Sequence, residues 1–341
     1  MDSYNLTKQS KKPFIIFGIL ILAIIGVFLL SLNLGYIRIS PFDVLKTFLG
    51  MGTDKDALVL FQFRLPRMVI ALLIGAGLAV SGAILQGVSQ NGLADPGILG
   101  INAGAGFAVV LFIFFFQGSL TGLGTLSIFI MPFFALLGAV LAAFLIYVLA
   151  WKKGVTPVRL ILVGIGINAG FAAALLVFQL KMNPRDFMQA TIWLSGSIWG
   201  TNWKFVLATL PWILILIPFT LYKARYLNIL NLGDQVATNL GARVEKERRI
   251  LLFLSVALAG ACVAVGGGIA FLGLVAPHIA RKLVGPKHQF LIPASALVGA
   301  LLLLVADMLG RNVLQPSEIP VGLVVAMLGA PYFLYLLMKT P

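Results

Sequence analysis

Residues 64–100 read RLPRMVIALLIGAGLAVSGAILQGVSQNGLADPGILG, and this stretch decides the fold class. No charged residue occurs between Arg67 and Asp95, and most of the segment is apolar or small. A transmembrane helix needs about 20 consecutive apolar residues, so the segment is long enough to cross a bilayer. Its glycines, alanines and serines are typical of membrane helices whose backbones pack closely against neighbouring helices.

The same pattern recurs along the whole chain of 341 residues, of which 60% are hydrophobic and 11% are charged. A soluble globule of this length could not hide so much apolar surface. The net charge of +14 comes from short basic clusters between apolar runs, which indicates membrane topology and not a nucleic-acid surface. We predict an all-α integral membrane protein with ten spans, near 14–34, 64–86, 96–116, 124–150, 157–180, 203–222, 249–267, 269–283, 290–310 and 319–338.

The distribution of lysine and arginine predicts the orientation of these spans. With a cytoplasmic N-terminus, 16 of the 25 basic residues fall inside and 9 outside, as the positive-inside rule favours. Both termini are then cytoplasmic. We expect a cytoplasmic tail over residues 1–13 and one polytopic transmembrane domain over residues 14–341 of a multi-pass protein in the lipid bilayer.

Few residues could carry chemistry. The sequence has no GxxxxGK[ST] phosphate loop, no HExxH and no GxSxG, and only Asp307 lies well inside a predicted span. We therefore assign no catalytic, cofactor-binding or metal site and do not expect an enzyme. Asp307 and Arg311 are four residues apart on one helix face, so they can neutralise each other, or Arg311 can face a partner. A secondary carrier is a rival interpretation, although no relay of intramembrane carboxylates supports it. A structural membrane scaffold is a second rival.

Arg64 and Arg67 lie outside in this topology, against the positive-inside rule. Pro66 between them suits the first turn of a helix, because its missing N–H group costs nothing there. The two arginines either extend their side chains to the membrane surface or form a docking point for an acidic soluble partner.

The longest inner loop, 226–248, predicts a short amphipathic helix. Asp234 is a suitable N-cap, Gly241 a suitable C-terminal stop, and Val236, Leu240 and Val244 follow at four-residue spacing. The apolar face of this helix must contact lipid, the helix bundle or a cytoplasmic partner.

Several segments together resemble the FecCD permeases, the membrane subunits of bacterial importers for ferric siderophores, haem and cobalamin. They are residues 64–67 with the glycine-rich span after them, residues 91–100, 232–241 and 268–281, and the C-terminal pairs of motifs at 320–322 and 328–331. The resemblance extends over essentially the whole chain. It departs at Gly92, in the inner loop between the second and third spans, where the family usually has proline.

The resemblance implies a type II ABC importer permease fold. It also implies two permease subunits around a central pathway, an ABC ATPase dimer below and an extracytoplasmic substrate-binding protein outside. A ferric siderophore is the favoured ligand, with haem and cobalamin as alternatives. The second permease is either another copy or, as we slightly favour, a similar chain.

The resemblance also implies roles for particular residues. Arg64, Arg67 and Arg311 would dock the binding protein. The ATPase would engage a coupling helix that includes Leu232, Gly233, Asp234, Ala237, Leu240 and Gly241. An inner gate would lie near Thr156, Pro157 and Val158.

Overall fold

The computed structural model describes residues 3–35, 37, 39–97, 99–116, 127–152, 154 and 156–339. The first half of the described chain forms helices α1 (Ser3–Asn33), α2 (Pro41–Phe48), α3 (Asp54–Ala57), α4 (Leu65–Ser89), α5 (Ile101–Phe116), α6 (Ser127–Ala150) and α7 (Pro157–Gln179). The second half forms α8 (Pro184–Leu194), α9 (Trp203–Leu230), α10 (Asp234–Asn239), α11 (Val244–Gly266), α12 (Leu272–Val284), α13 (His288–Asn312) and α14 (Val321–Lys339). A π-helical segment, Leu58–Arg64, joins α3 to α4 without a break.

Each of the ten predicted spans corresponds to one of these helices, namely α1, α4–α7, α9 and α11–α14. Within the described residues, seven helices are long and apolar enough to cross a membrane, and Ile101–Phe116 and Val321–Tyr335 are shorter apolar helices. The prediction of an all-helical membrane protein is therefore confirmed.

Helix α4 is the centre of the bundle and packs against α9, α11, α12 and α13. Gly82 explains part of this packing. A Cβ atom at Gly82 would lie 1.8 Å from the carbonyl oxygen of Gly273, so only glycine allows α4 and α12 to approach this closely. In contrast, α7 is exposed along most of its length.

The structure differs from several predicted boundaries; for example, α9 continues to Leu230 and not to 222, and α11 begins at Val244 and not at 249. Helix α1 begins at Ser3, so most of the expected N-terminal tail continues the first span as helix. The eighth span begins at Leu272 and not at 269, because Gly267 and Phe271 both have positive φ angles that interrupt the helix between α11 and α12. Residues 124–126, at the start of the predicted fourth span, lie outside the described residues, as does Ile98 in the motif at 91–100.

Candidate functional site

A buried ion network lies at one end of the bundle, where the start of α4 meets the end of α13. The carboxylate of Asp307 accepts from Arg67 Nε at 2.7 Å and lies 3.0 Å from Arg311 Nε. Arg67 also donates from a terminal nitrogen to Glu318 Oε2 at 2.7 Å. Arg311 donates to the hydroxyl of Ser31 on α1. The predicted pairing of Asp307 with Arg311 is confirmed, and Arg67 joins the same carboxylate.

Arg64 is held in a different way. Its guanidinium donates to the backbone carbonyls of Leu32 and Ile37, at and after the end of α1. Among the described residues, no carboxylate lies within ion-pair distance of Arg64. Its guanidinium is instead stabilised by hydrogen bonds to these two backbone carbonyls. The side chain is buried and does not extend into solvent.

The three arginines line one cleft of about 450 Å³ at this end of the bundle, which is the outer end in the predicted topology. The segments that form it are the end of α1, the start of α4 with the π-helical segment before it, and the loop between α13 and α14. Its charged lining residues are Lys55, Arg64, Arg67, Arg311 and Glu318. The arginines expected from the sequence to act together are therefore brought together, although each is engaged inside the chain.

The short helix α10 lies at the opposite end of the bundle. Gly233, with a φ of 94°, is its N-cap, so the prediction of Asp234 as N-cap is wrong. Gly233 takes this place because its backbone lies in a region that other residues rarely adopt, and Asp234 becomes the first helical residue. Gly241, with a φ of 80°, ends the helix as predicted.

The apolar residues of this region point in two directions. Ala237 is buried, whereas Leu232, Val236 and Leu240 are exposed. Of the predicted apolar face, Val244 begins α11 and packs partly against the bundle. Val236 and Leu240 are not covered by the bundle, so lipid or a partner protein is left as their neighbour.

Two ion pairs fix α10 and α9 to the first turns of α11. Arg248, which is 4% exposed, donates to Asp234 Oδ1 at 2.7 Å. Lys223 donates to Glu247 Oε2 at 2.8 Å, and its ammonium lies 4.6 Å from the ring centre of Tyr226. The first pair joins α10 to α11, and the second joins α9 to α11.

Helix α11 leads to a junction of which the sequence predicted the break between the seventh and eighth spans, but not the contacts that α8 and α14 make with it. Helix α8 is too short to cross the membrane, and its end contacts the interrupted segment between α11 and α12, because Gly268 N–H donates to the Trp193 carbonyl at 3.3 Å. Gly322 N–H at the start of α14 donates to the Gly196 carbonyl at 2.9 Å. Irregular backbone at membrane depth is tolerated where it is buried in protein or lines a cavity.

A second cavity of about 440 Å³ adjoins this junction. The residues that line it come from the loop before α5, from α5, α7 and α8, from the interrupted segment and from α14. They are Asp95, Gly97, Asn102, Ala103, Asn168, Leu194, Gly268, Ala270, Phe271, Leu274 and Phe333. The amide of Asn102 donates to the Ile269 carbonyl at 3.2 Å, so a side chain of α5 satisfies part of the interrupted backbone.

The residues expected at an inner gate lie at the start of α7. Thr156 is the N-cap and is exposed, Pro157 is the first helical residue, and Val158 is exposed. Their role at a gate remains a prediction.

Comparisons with known proteins agree with this architecture. The family model of the FecCD transport family matches residues 20–339. The chain belongs to the FecCD transport family. It is 66% identical over 331 residues to the iron(3+)-hydroxamate import system permease protein FhuG of Bacillus subtilis, which covers 97% of this chain and 98% of that one. It is 44% identical to the iron-uptake system permease protein FeuC of the same species, over 95% and 97% of the two chains.

A solved structure of a metal-chelate type ABC transporter in an inward-facing conformation has the same fold. The TM-score is 0.81 and the sequence identity is 33%, and the match covers 96% of this chain and 100% of the other. The resemblance stated from the sequence motifs is thus confirmed, and the expected type II ABC importer permease fold with it. As a member of the FecCD family, the chain is a multi-span membrane protein of a transport system.

Signals for the elements that sequence reasoning missed were present in the chain. Asn183 accepts from Asp186 N–H at 3.0 Å and Pro184 follows it, which is an N-cap pattern that predicts α8. Ser40 and Thr53 cap α2 and α3 with aspartates three residues later. These helices are short, so a search based on membrane-length apolar runs passes over them.

Proposed function

We propose that this chain is the permease subunit of an ABC importer that moves a ferric siderophore, of the hydroxamate class, across the cytoplasmic membrane. The observation that carries the ligand class is the 66% identity to FhuG over nearly the full length of both chains. Close similarity over every span favours a ligand of the same chemical type, because the whole pathway is built from those spans.

Energy for transport comes from a separate ABC ATPase dimer at the inner face. The sequence has no phosphate-binding loop of its own. The exposed Leu232, Val236 and Leu240 around α10 form an apolar surface for a groove in the ATPase. Movement of α10 then passes through Asp234 and Arg248 to α11, and along α11 to the glycine-rich junction at its other end.

A substrate-loaded binding protein docks at the outer cleft, where Arg64, Arg67 and Arg311 attract acidic side chains. This role explains why these residues lie on the outer side, against the positive-inside rule. It also requires both termini to be cytoplasmic, because the outer cleft and α10 lie at opposite ends of the bundle.

A second permease, either another copy or a similar chain, packs beside α7 to enclose the pathway. Helix α7 is largely exposed, yet it carries Gly166, Asn168 and Gly170, which suit a protein neighbour better than lipid. The cavity beside Asn168 opens toward this pathway, and the residues around Thr156 close its inner end.

The test is uptake of radiolabelled iron into cells with and without the chain. The panel holds hydroxamate, catecholate and citrate complexes of ferric iron together with haem, and labelled cobalamin is the control. We expect loss of hydroxamate uptake alone, restored by the wild-type chain. Selective loss of haem or cobalamin uptake would overturn the ligand class, and continued uptake without any ATPase would overturn the ABC mechanism in favour of a secondary carrier.

A further inference from the structure

The outer cleft holds more positive than negative charge. Lys55, Arg64, Arg67 and Arg311 line it, opposed by Glu318 at the rim and by Asp307 beneath it. A surface region with uncompensated positive charge attracts acidic partners and accelerates their association. The cleft is therefore electrostatically suited to a carboxylate. Within the chain, however, the guanidinium of Arg67 already donates to Asp307 and to Glu318.

The two acidic residues are not equivalent. Asp307 is 0% exposed, bridges two arginines and is held within α13, so it cannot leave without opening the bundle. Glu318 is 35% exposed, lies in the loop before α14, and contacts Arg67 through one oxygen at 2.7 Å. A single exposed contact of this kind is weak and easily exchanged.

We propose that Glu318 occupies the position of a carboxylate from the docking partner and is displaced when that partner binds. The inference rests on the proposed function, since it concerns the same docking cleft. In this exchange the partner's carboxylate takes the place of Glu318 on Arg67, and the Glu318 side chain turns into solvent. Arg67 is therefore paired with a carboxylate both before and after docking. Asp307 stays in place and keeps the Arg67 side chain oriented.

This arrangement has two consequences. The internal Glu318 lowers affinity, because every docking event must first break its bond to Arg67. When no partner is bound, Glu318 also gives Arg67 a second carboxylate beside Asp307. Removing the Glu318 charge should therefore strengthen docking, whereas removing the Arg67 charge should weaken it.

The experiment uses the complete importer in lipid nanodiscs. Binding of the purified substrate-binding protein of the same importer is followed by surface plasmon resonance at low and high salt. The variants are Glu318→Gln, Glu318→Asp and Arg67→Gln. Asp54→Asn is the matched control, because it removes one exposed negative charge from the same outer face.

We expect Glu318→Gln to lower Kd by about two- to fivefold at low salt, the range for exposed ion pairs. Glu318→Asp, which keeps the charge on a shorter side chain, should give an intermediate Kd. Asp54→Asn should change Kd less than Glu318→Gln does. If Glu318→Gln raises Kd, or changes Kd no more than Asp54→Asn does, the displacement mechanism is wrong. If Arg67→Gln raises Kd in the same experiment, the proposed docking site still stands. If Arg67→Gln leaves Kd unchanged, the docking site itself is wrong.

Discussion

Asp307 is the residue on which the outer ion network depends. It is fully buried and serves two guanidinium groups, those of Arg67 and Arg311. Removing one partner of a buried pair leaves uncompensated charge and typically costs about 3–5 kcal/mol. We expect Asp307→Asn to lower the thermal unfolding midpoint of the detergent-purified protein markedly.

Glu318→Gln is the control for that measurement, since it removes a carboxylate from the same Arg67 at a site that is partly exposed. Exposed pairs contribute at most about 1 kcal/mol, so its unfolding midpoint should stay near that of the wild type. If the two variants lower the unfolding midpoint equally, the burial of an ion pair does not determine how much stability is lost when the pair is broken.

Gly82 permits the close contact between α4 and α12. In Gly82→Ala the new methyl group would overlap the backbone of Gly273, and backbone cannot rotate away as a side chain can. Overpacking of this kind costs about 1–3 kcal/mol or more, so the yield of folded protein in size-exclusion chromatography should fall. Gly26→Ala on α1, where no atom lies within 4 Å of the added Cβ, should behave as wild type. A normal elution profile for Gly82→Ala would show that the two helices can separate at little cost.

At the scale of the element, the proposed coupling role of α10 depends on its attachment to α11. Reversing either charge in Asp234→Arg or Arg248→Asp should impair iron uptake, and the double reversal should recover part of it. The recovery will be modest, since Asp234 is half exposed and such pairs contribute about 1 kcal/mol or less.

Arg243→Asp is the matched control for the charge reversals, because Arg243 is exposed in the same loop. ATPase co-purification is measured in parallel, so that lost assembly is distinguished from lost transmission. Uptake that is no better in the double reversal than in the single ones would mean that the ion pair does not transmit the motion.

The membrane helices could be predicted from sequence because hydrophobic length is a local property. The break between the seventh and eighth spans was predicted beside Gly267, but the short helix α8 was missed because it is not a membrane-length apolar run. The pairing of Arg67 with Asp307 joins residues 240 positions apart. Only the tertiary packing of α4 against α13 brings them together. The sequence identified the arginines by their violation of a topology rule, without indicating their partners.

At the scale of the whole molecule, the docking and coupling proposals depend on one orientation of the chain. Cys262 is the one cysteine in the sequence, and its thiol is fully buried. The wild-type chain therefore offers no accessible thiol, and a cysteine introduced at a surface position reports that position alone. Asp54→Cys marks the outer end and Leu240→Cys marks the exposed surface beside α10.

A membrane-impermeant maleimide applied to intact spheroplasts should label Asp54→Cys and leave Leu240→Cys and the wild type unlabelled. After permeabilisation, Leu240→Cys should label as well, because its side-chain position is 62% exposed in the chain. If the ATPase covers this surface, labelling should be slower in the assembled importer than in the chain alone. Labelling of Leu240→Cys from outside would place α10 on the wrong side for an ATPase and Arg67 on the wrong side for a binding protein, and both proposals would fail together.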